Sequence, residues 1–132
     1  MILLDTSLLI DVTRNPDGHL ARSIPPQELG VIGLVGIEFL QSSRDDAHDR
    51  KLEGVLDGFL QVPMGEPIWR EAARNASQLR RVGITVTIAD ICIATLAIRL
   101  GVPVWSLDKD FLCIHRHFPQ LRLYEHPSKA TP

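Results

Sequence analysis

Four acidic residues lie beside or inside apolar segments of this 132-residue sequence: Asp5, Glu38, Asp90 and Asp108. Carboxylates are rarely buried unless a cation pairs with them or a metal binds them. No lysine or arginine accompanies the whole set, so four converging carboxylates would repel one another and require a cation. An all-oxygen cluster suits Mg²⁺ or Mn²⁺. Such an ion could activate a water and stabilise charge on a phosphodiester.

The stretch 85–111 contains the elements that must position two of these acids. Its apolar segment 88–100 predicts a helix buried on most sides. Gly101, followed closely by Pro103, predicts the end of that helix. The apolar run 102–105 shows no alternation, which favours a strand covered on both faces. Asp90 would therefore lie in a first helical turn, and Asp108 just beyond a buried strand.

The rest of the chain repeats this alternation of strands and helices. Further strands are predicted at 2–4, 28–32, 61–63 and 121–124, and further helices at 8–13, 33–40, 44–60 and 66–82. This order predicts an α/β domain with a parallel sheet and helices on both faces. Function in such sheets collects at the carboxyl ends of the strands. All four acids are expected near that edge, within one domain at 1–126 that precedes a loose tail at 127–132.

Composition limits the class of protein. The hydrophobic fraction of 45% and charged fraction of 23% are typical of a soluble globular chain. The net charge of −2 does not indicate a nucleic-acid binder, so a polyanionic substrate would need local basic patches or metal ions. No segment resembles a signal peptide or a membrane span, and the two cysteines lack a zinc-type or CxxC spacing. A cytoplasmic location with reduced thiols and no membrane partner is expected.

Each acid also has a purely structural interpretation. Asp5 could cap the first helix, and Thr87-x-x-Asp90 fits a capping box. Asp108 could cap a short helix through Phe111, and Asp110 competes with it for any metal role. Glu38 is the sharpest candidate because no basic residue lies three or four positions away in its apolar helix.

Two other groups of residues offer weaker chemistry. Cys113-x-His115-x-His117 could supply zinc ligands, but no fourth ligand is evident. Four arginines at 70, 74, 80 and 81 fit a solvated helix face that could also touch phosphates.

Four segments in this order and at these distances resemble the PIN domain, specifically the VapC-type ribonuclease toxins of toxin–antitoxin pairs: MILLDTSLLID, VGIEFL, IADICIATLA and VWSLDKDF. The resemblance implies a three-layer α/β/α sandwich around a parallel sheet of about five strands. It implies that Asp5, Glu38, Asp90 and Asp108 are the catalytic metal ligands, for Mg²⁺ or Mn²⁺. Ser7, Ser106 and Asp110 would stand beside them as supporting residues.

The activity implied by the resemblance is endonucleolytic cleavage of RNA by an activated water. The implied partners are a cognate antitoxin that silences the site and a second copy of the chain in a homodimer. Gly33 departs from the pattern, since many members carry a serine there. The alternatives are a DNA or flap nuclease on the same fold, a receiver-like domain phosphorylated on an acidic pocket, and an inactive domain that only binds RNA.

Overall fold

A four-stranded parallel sheet lies at the centre of the structure, a computed structural model that describes residues 1–18 and 22–125. Its strands are β1 (Ile2–Leu4), β2 (Leu29–Ile32), β3 (Leu60–Val62) and β4 (Val104–Trp105). They are arranged in the order β3-β2-β1-β4, and every pair is parallel. All four residues of β2 are buried, as expected for a strand between two others and beneath helices.

Helices connect the strands and cover the sheet. They are α1 (Thr6–Arg14), α2 (Gly33–Leu40), α3 (Asp46–Asp57), α4 (Glu66–Arg81), α5 (Ile88–Leu100) and α6 (Asp110–His117). A 3₁₀ turn, Pro26–Glu28, precedes β2. The predicted capping of α3 is confirmed, since Asp45 Oδ1 accepts a hydrogen bond from the His48 N–H at 2.8 Å.

The α/β class is confirmed, but the sheet has four strands where about five were expected. The strand predicted at 121–124 is reduced to one parallel bridge between Val104 and Leu123. Val104 donates to the Arg122 carbonyl at 3.0 Å and accepts from the Tyr124 N–H at 2.7 Å. Because β4 is only two residues long, the ladder cannot extend further. The division into a domain at 1–126 and a loose tail stays a prediction, since residues 126–132 lie outside the described residues.

The strand order creates a switch point between β1 and β4. From β1 the chain moves outward to β2 and β3, and then it returns to place β4 on the other side of β1. In parallel sheets, such a reversal of strand order leaves a crevice at the carboxyl ends of the two strands, here β1 and β4. Asp5 follows β1 and Ser106 follows β4, so both residues lie at this crevice.

Helix α5 is the centre of the hydrophobic core. Every residue from Ala89 to Ala97 is buried, and only the two ends of the helix reach the surface. Thr87 caps its first turn by accepting a hydrogen bond from the Asp90 N–H at 3.1 Å. Gly101 ends it in the left-handed conformation with φ +68°, as the sequence predicts. Asp90 is thus carried by a rigid, buried element.

Replacing Gly101 by alanine should lower the free energy of unfolding by about 1–2 kcal/mol, since a side chain disfavours the left-handed conformation. A Cβ there would meet no atom within 4 Å, so the cost is conformational and not a clash. Gly54→Ala is the matched control: this exposed glycine lies inside α3 with equally open space around it, and alanine should stabilise that helix by about 0.5–1 kcal/mol. Urea unfolding would measure both changes in the free energy of unfolding. If both substitutions stabilised the protein or both destabilised it, the left-handed conformation would not explain the choice of glycine at 101.

Candidate active site

Asp5 is held at the switch point by the backbone of β4 and by two hydroxyls. Its N–H donates to the Trp105 carbonyl at 3.1 Å, which fixes it beside the end of β4. Asp5 occupies the position that precedes α1, but its side chain makes no capping hydrogen bond. The carboxylate is instead 5% exposed and accepts from Ser106 Oγ at 2.8 Å and from Ser7 Oγ at 3.0 Å. The interpretation of Asp5 as a helix cap is therefore wrong.

The two serines connect Asp5 to the loop after β4. Both hydroxyls donate to the same oxygen, Asp5 Oδ2. Ser7 Oγ in turn accepts from the Leu107 N–H at 3.0 Å, and Ser106 Oγ accepts from the Asp108 N–H at 2.9 Å. This network leaves Asp5 Oδ1 without a hydrogen bond in the described part of the chain. It also fixes the backbone that carries Asp108.

Three further carboxylates gather in this crevice. One oxygen from each of Asp90, Asp108 and Asp110 lies within 4.8 Å of the others. Asp90 is buried at the start of α5, while Asp108 is exposed in the loop. The Asp110 N–H donates to Asp108 Oδ1 at 3.0 Å, which turns the chain into α6. Asp110, named from the sequence as a supporting residue, thus stands with Asp90 and Asp108 in one group.

Like charges and burial act directly on Asp90. Burial and then the neighbouring charges of Asp5, Asp108 and Asp110 together raise the pKa of Asp90 from the ordinary value of 3.8 to about 7, against an opposing hydrogen bond with Thr87. Asp5 therefore lies close enough to interact with Asp90, although it is not one of the three within 4.8 Å. The capping-box interpretation is confirmed for the backbone of Asp90, whose N–H donates to Thr87 Oγ1, and the Asp90 carboxylate also interacts with that hydroxyl.

Glu38 lies at the margin of the site. It is half-buried on α2 and accepts a hydrogen bond from Thr6 Oγ1 at 2.7 Å. Thr6 follows Asp5 directly, so this bond joins the first turn of α1 to α2. Glu38 does not belong to the three-carboxylate group. The structure thus brings Asp5, Asp90 and Asp108 to one crevice. The fourth predicted acid, Glu38, lies beside the crevice and is linked to it through Thr6, the residue that follows Asp5.

No basic side chain of the described residues forms an ion pair with these acids. Among residues 1–18 and 22–125, the ion pairs are Arg22–Asp17 and Arg99–Glu71, both distant in the chain from the crevice. The carboxylates therefore keep their mutual repulsion unless a cation enters. All of the donors are hard oxygens, which suits Mg²⁺, Mn²⁺ or Ca²⁺ better than softer metals. The residues present fit a divalent cation.

The alternative zinc ligands do not come together. Cys113, His115 and His117 alternate along α6, so consecutive members point to different faces of the helix. His115 Nδ1 contacts the Leu121 carbonyl at 2.6 Å, and the His117 ring packs edge-on against Phe118. Within the described ranges they form no cluster that could hold a metal. The role of Thr6 was missed by sequence reasoning, and only its position next to Asp5 could have suggested it.

The fold and the crevice together define a class: a parallel α/β protein with an acidic site, suited to a divalent cation, at a sheet switch point. The PIN domain model matches residues 2–115. The chain is 33% identical over 124 residues to VapC ribonuclease Mb1587 of Mycobacterium bovis, covering 88% of this chain and 92% of that protein. Ribonuclease VapC11 of Mycobacterium tuberculosis H37Rv gives the same values. The chain belongs to the PIN domain family, among the VapC-type ribonucleases.

Solved structures agree on the fold. VapBC-1 from nontypeable Haemophilus influenzae superposes with a TM-score of 0.73 at 19% identity, covering 95% of this chain and 98% of that one. VapBC2 from Rickettsia felis, bound to a DNA fragment from its promoter, gives a TM-score of 0.73 at 15% identity, covering 94% and 98%. The predicted α/β/α architecture is therefore shown, with one strand fewer than expected. No helix in the described ranges is long and apolar enough to cross a membrane.

Replacing Asp90 by asparagine should stabilise the metal-free protein at neutral pH. The pKa of Asp90 is raised when folded, so the folded state holds that proton more tightly than the unfolded state. Its contribution to stability is fully present below about pH 4 and is lost as the pH rises through about 7. Urea unfolding in a chelator should therefore show Asp90→Asn gaining on the wild type as the pH increases over this range.

Thr87→Ala is the control for this comparison, because it removes the hydroxyl that caps the Asp90 N–H. Thr87→Ala should lower the free energy of unfolding by about 1 kcal/mol. If Asp90→Asn lowered the free energy of unfolding by a similar amount at neutral pH, the result would show that the Asp90 carboxylate stabilises the first turn of α5 and would contradict the prediction.

Ser106→Ala should weaken divalent-cation binding by about 10–100-fold, because supporting hydrogen bonds orient the ligands of a metal. The variant loses both the donor to Asp5 and the acceptor for the Asp108 N–H. Calorimetric titration with Mn²⁺ measures the change. Ser77→Ala, an exposed serine on α4, should bind Mn²⁺ like the wild type, and equal affinity in all three proteins would contradict this role.

Proposed function

We propose that this chain is a Mg²⁺- or Mn²⁺-dependent endoribonuclease and the toxin of a toxin–antitoxin pair. The observation that carries the proposal is the crevice at the ends of β1 and β4, where Asp90, Asp108 and Asp110 gather with no ion pair to a basic side chain of residues 1–18 and 22–125. The kinship with proteins named VapC ribonucleases supports RNA as the substrate. The same kinship favours RNA over the DNA or flap substrates of other nucleases.

The residues that would hold the cation are Asp5, Asp90, Asp108 and Asp110, with Glu38 at the margin. When bound, a divalent cation lowers the pKa of a water and offsets negative charge on the phosphodiester. Ser7 and Ser106 hold Asp5 Oδ2, which leaves Oδ1 for the ion. Thr6 fixes Glu38 through its hydroxyl. Because the Asp90 carboxylate must be ionised to bind, cation affinity should increase as the pH rises through about 7.

The site is preorganised, because two of its carboxylates are buried and are held by rigid elements of the fold. Asp5 and Asp90 are each 5% exposed, one fixed by the sheet backbone and the other by the core helix α5. Asp108 is exposed and lies on the loop after β4, whose backbone N–H groups donate to Ser7 and Ser106. A substrate phosphate can therefore reach the site from the open side, while two ligands are held rigidly from the protein side.

Substituting Asp5 or Asp90 by asparagine should reduce RNA cleavage by more than about 100-fold, a larger loss than that expected for supporting residues. Single-stranded RNA with Mg²⁺ or Mn²⁺ is the substrate, and an equal concentration of single-stranded DNA tests the choice of nucleic acid. Asp57→Asn, which changes an exposed acid at the end of α3, should cleave at the wild-type rate. Full activity in both site variants would end the proposal.

The proposal extends to partners and location. Structures with this fold include VapBC proteins and a toxin–antitoxin complex from Klebsiella pneumoniae, which supports a cognate antitoxin for this chain. A homodimer in the cytoplasm completes the proposal. A small open reading frame beside the gene should encode a protein that copurifies with this chain and stops its RNA cleavage. Light scattering of the purified chain would test the dimer.

A further inference from the structure

A basic cavity of about 450 Å³ lies between α1, α2 and α3, on the Glu38 side of the crevice. Its rim carries four basic side chains: Arg14, Arg44, His48 and Lys51. The buried side chains of Phe39 and Leu52 form part of its wall. No carboxylate lines it, although the chain as a whole carries a net charge of −2. Positive charge is therefore concentrated at this cavity, although the protein as a whole is slightly acidic.

The cations of this cavity are free to bind an external anion. Arg14, Arg44 and Lys51 are exposed, and none of them forms an ion pair in the described part of the chain. Asp45, which follows Arg44 in the chain, caps α3 by accepting a hydrogen bond from the His48 N–H. An anion in the cavity would therefore not have to displace an existing internal partner.

His48 adds a directed donor. Its Nδ1 accepts a hydrogen bond from the Arg44 N–H at 3.1 Å, so the ring is neutral with its proton on Nε2. The Nε2–H is then the donor that this half-buried ring can offer. Neutral donors combined with arginine and lysine are the usual partners of a nucleic-acid phosphate.

The cavity and the acidic crevice are connected through α1. Thr6, Ile10 and Arg14 lie on one face of this helix, at intervals of four residues. Thr6 binds Glu38, while Ile10 and Arg14 line the cavity. Arg14 lies roughly 12 Å along the helix axis from Thr6. Phe39, which lines the cavity, directly follows Glu38.

We propose that this cavity binds a backbone phosphate of the RNA strand near the one being cleaved, an inference that rests on the proposed function. The acidic crevice repels a polyanion, so an RNA strand needs a positive site elsewhere to be held in register. The cavity supplies such a site at the margin of the crevice. Phosphate contacts carry no sequence information, so this site sets position and affinity and leaves base choice to other residues.

The test is RNA binding by the double variant Arg44→Ala/Lys51→Ala. Fluorescence anisotropy with labelled single-stranded RNA in a chelator measures binding without cleavage. The cavity holds one phosphate, so losing that contact should make the slope of log affinity against log salt shallower by about 0.7. Affinity at low salt should fall by at least about tenfold. Circular dichroism checks the fold, and the Arg44 N–H that holds His48 is retained.

Arg70→Ala/Arg74→Ala is the matched control. It removes the same charge from a cavity on α4 that also contains Glu71, which is paired with Arg99. Arg99 lies near the far end of α5 from Asp90. This control should bind RNA like the wild type. Equal losses in the two double variants would overturn the proposal, because they would show only general attraction of a polyanion.

Two further measurements separate the outcomes. A labelled oligoglutamate peptide that binds the wild type while RNA does not would show that the cavity takes an acidic protein segment, which overturns the proposal. Hydrolysis of bis(4-nitrophenyl) phosphate, too small to reach the cavity, should be equal in wild type and Arg44→Ala/Lys51→Ala. A wild type that binds RNA through the cavity but hydrolyses nothing would count against the proposed function alone, and the binding comparison would still support the cavity.

Discussion

Repulsion among carboxylates is the constraint on which this structure depends. The crevice holds Asp90, Asp108 and Asp110 within 4.8 Å of one another, with Asp5 close enough to act on Asp90. A folded protein does not gain stability by gathering such charges, and the raised pKa of Asp90, caused first by burial and then by these charges, expresses the cost. The surrounding framework must therefore be stable without help from the site, and it offsets the repulsion through packing elsewhere.

Helix α5 provides most of that framework. Nine consecutive residues from Ala89 to Ala97 are buried, and each large apolar side chain among them contributes about 1.5–3 kcal/mol when fully buried. The helix is capped at both ends, by Thr87 and by Gly101. A buried helix cannot easily move away from the strands beside it, so Asp90 stays at the crevice despite the charges around it.

Hydrogen bonds do the finer positioning. The oxygen Oδ2 of Asp5 accepts from two serines that come from opposite ends of the chain, separated by 99 residues. Each serine also accepts a backbone N–H from the loop that carries Asp108. One network thus orients one acid and places the loop of another, so the two ligands are not independent. Further along α1, the cavity edged by Arg14 and Lys51 has the opposite charge, so under the proposed function a phosphate strand would meet repulsion and attraction in adjacent places.

The sequence alone determined the local elements, because their signals are local. The apolar segment 88–100, its Gly101 stop, and the caps at Asp45 and Thr87 all depend on residues within a few positions of one another. The alternation of strands and helices also fixed the sheet edge at which the acids would lie. Side-chain direction past a helix start or inside a turn depends on how elements pack, which no local pattern contains. Only the tertiary structure therefore decided that Asp110 joins Asp90 and Asp108, that Glu38 stands aside with Thr6, and that the strand at 121–124 shortens to one bridge beside a two-residue β4.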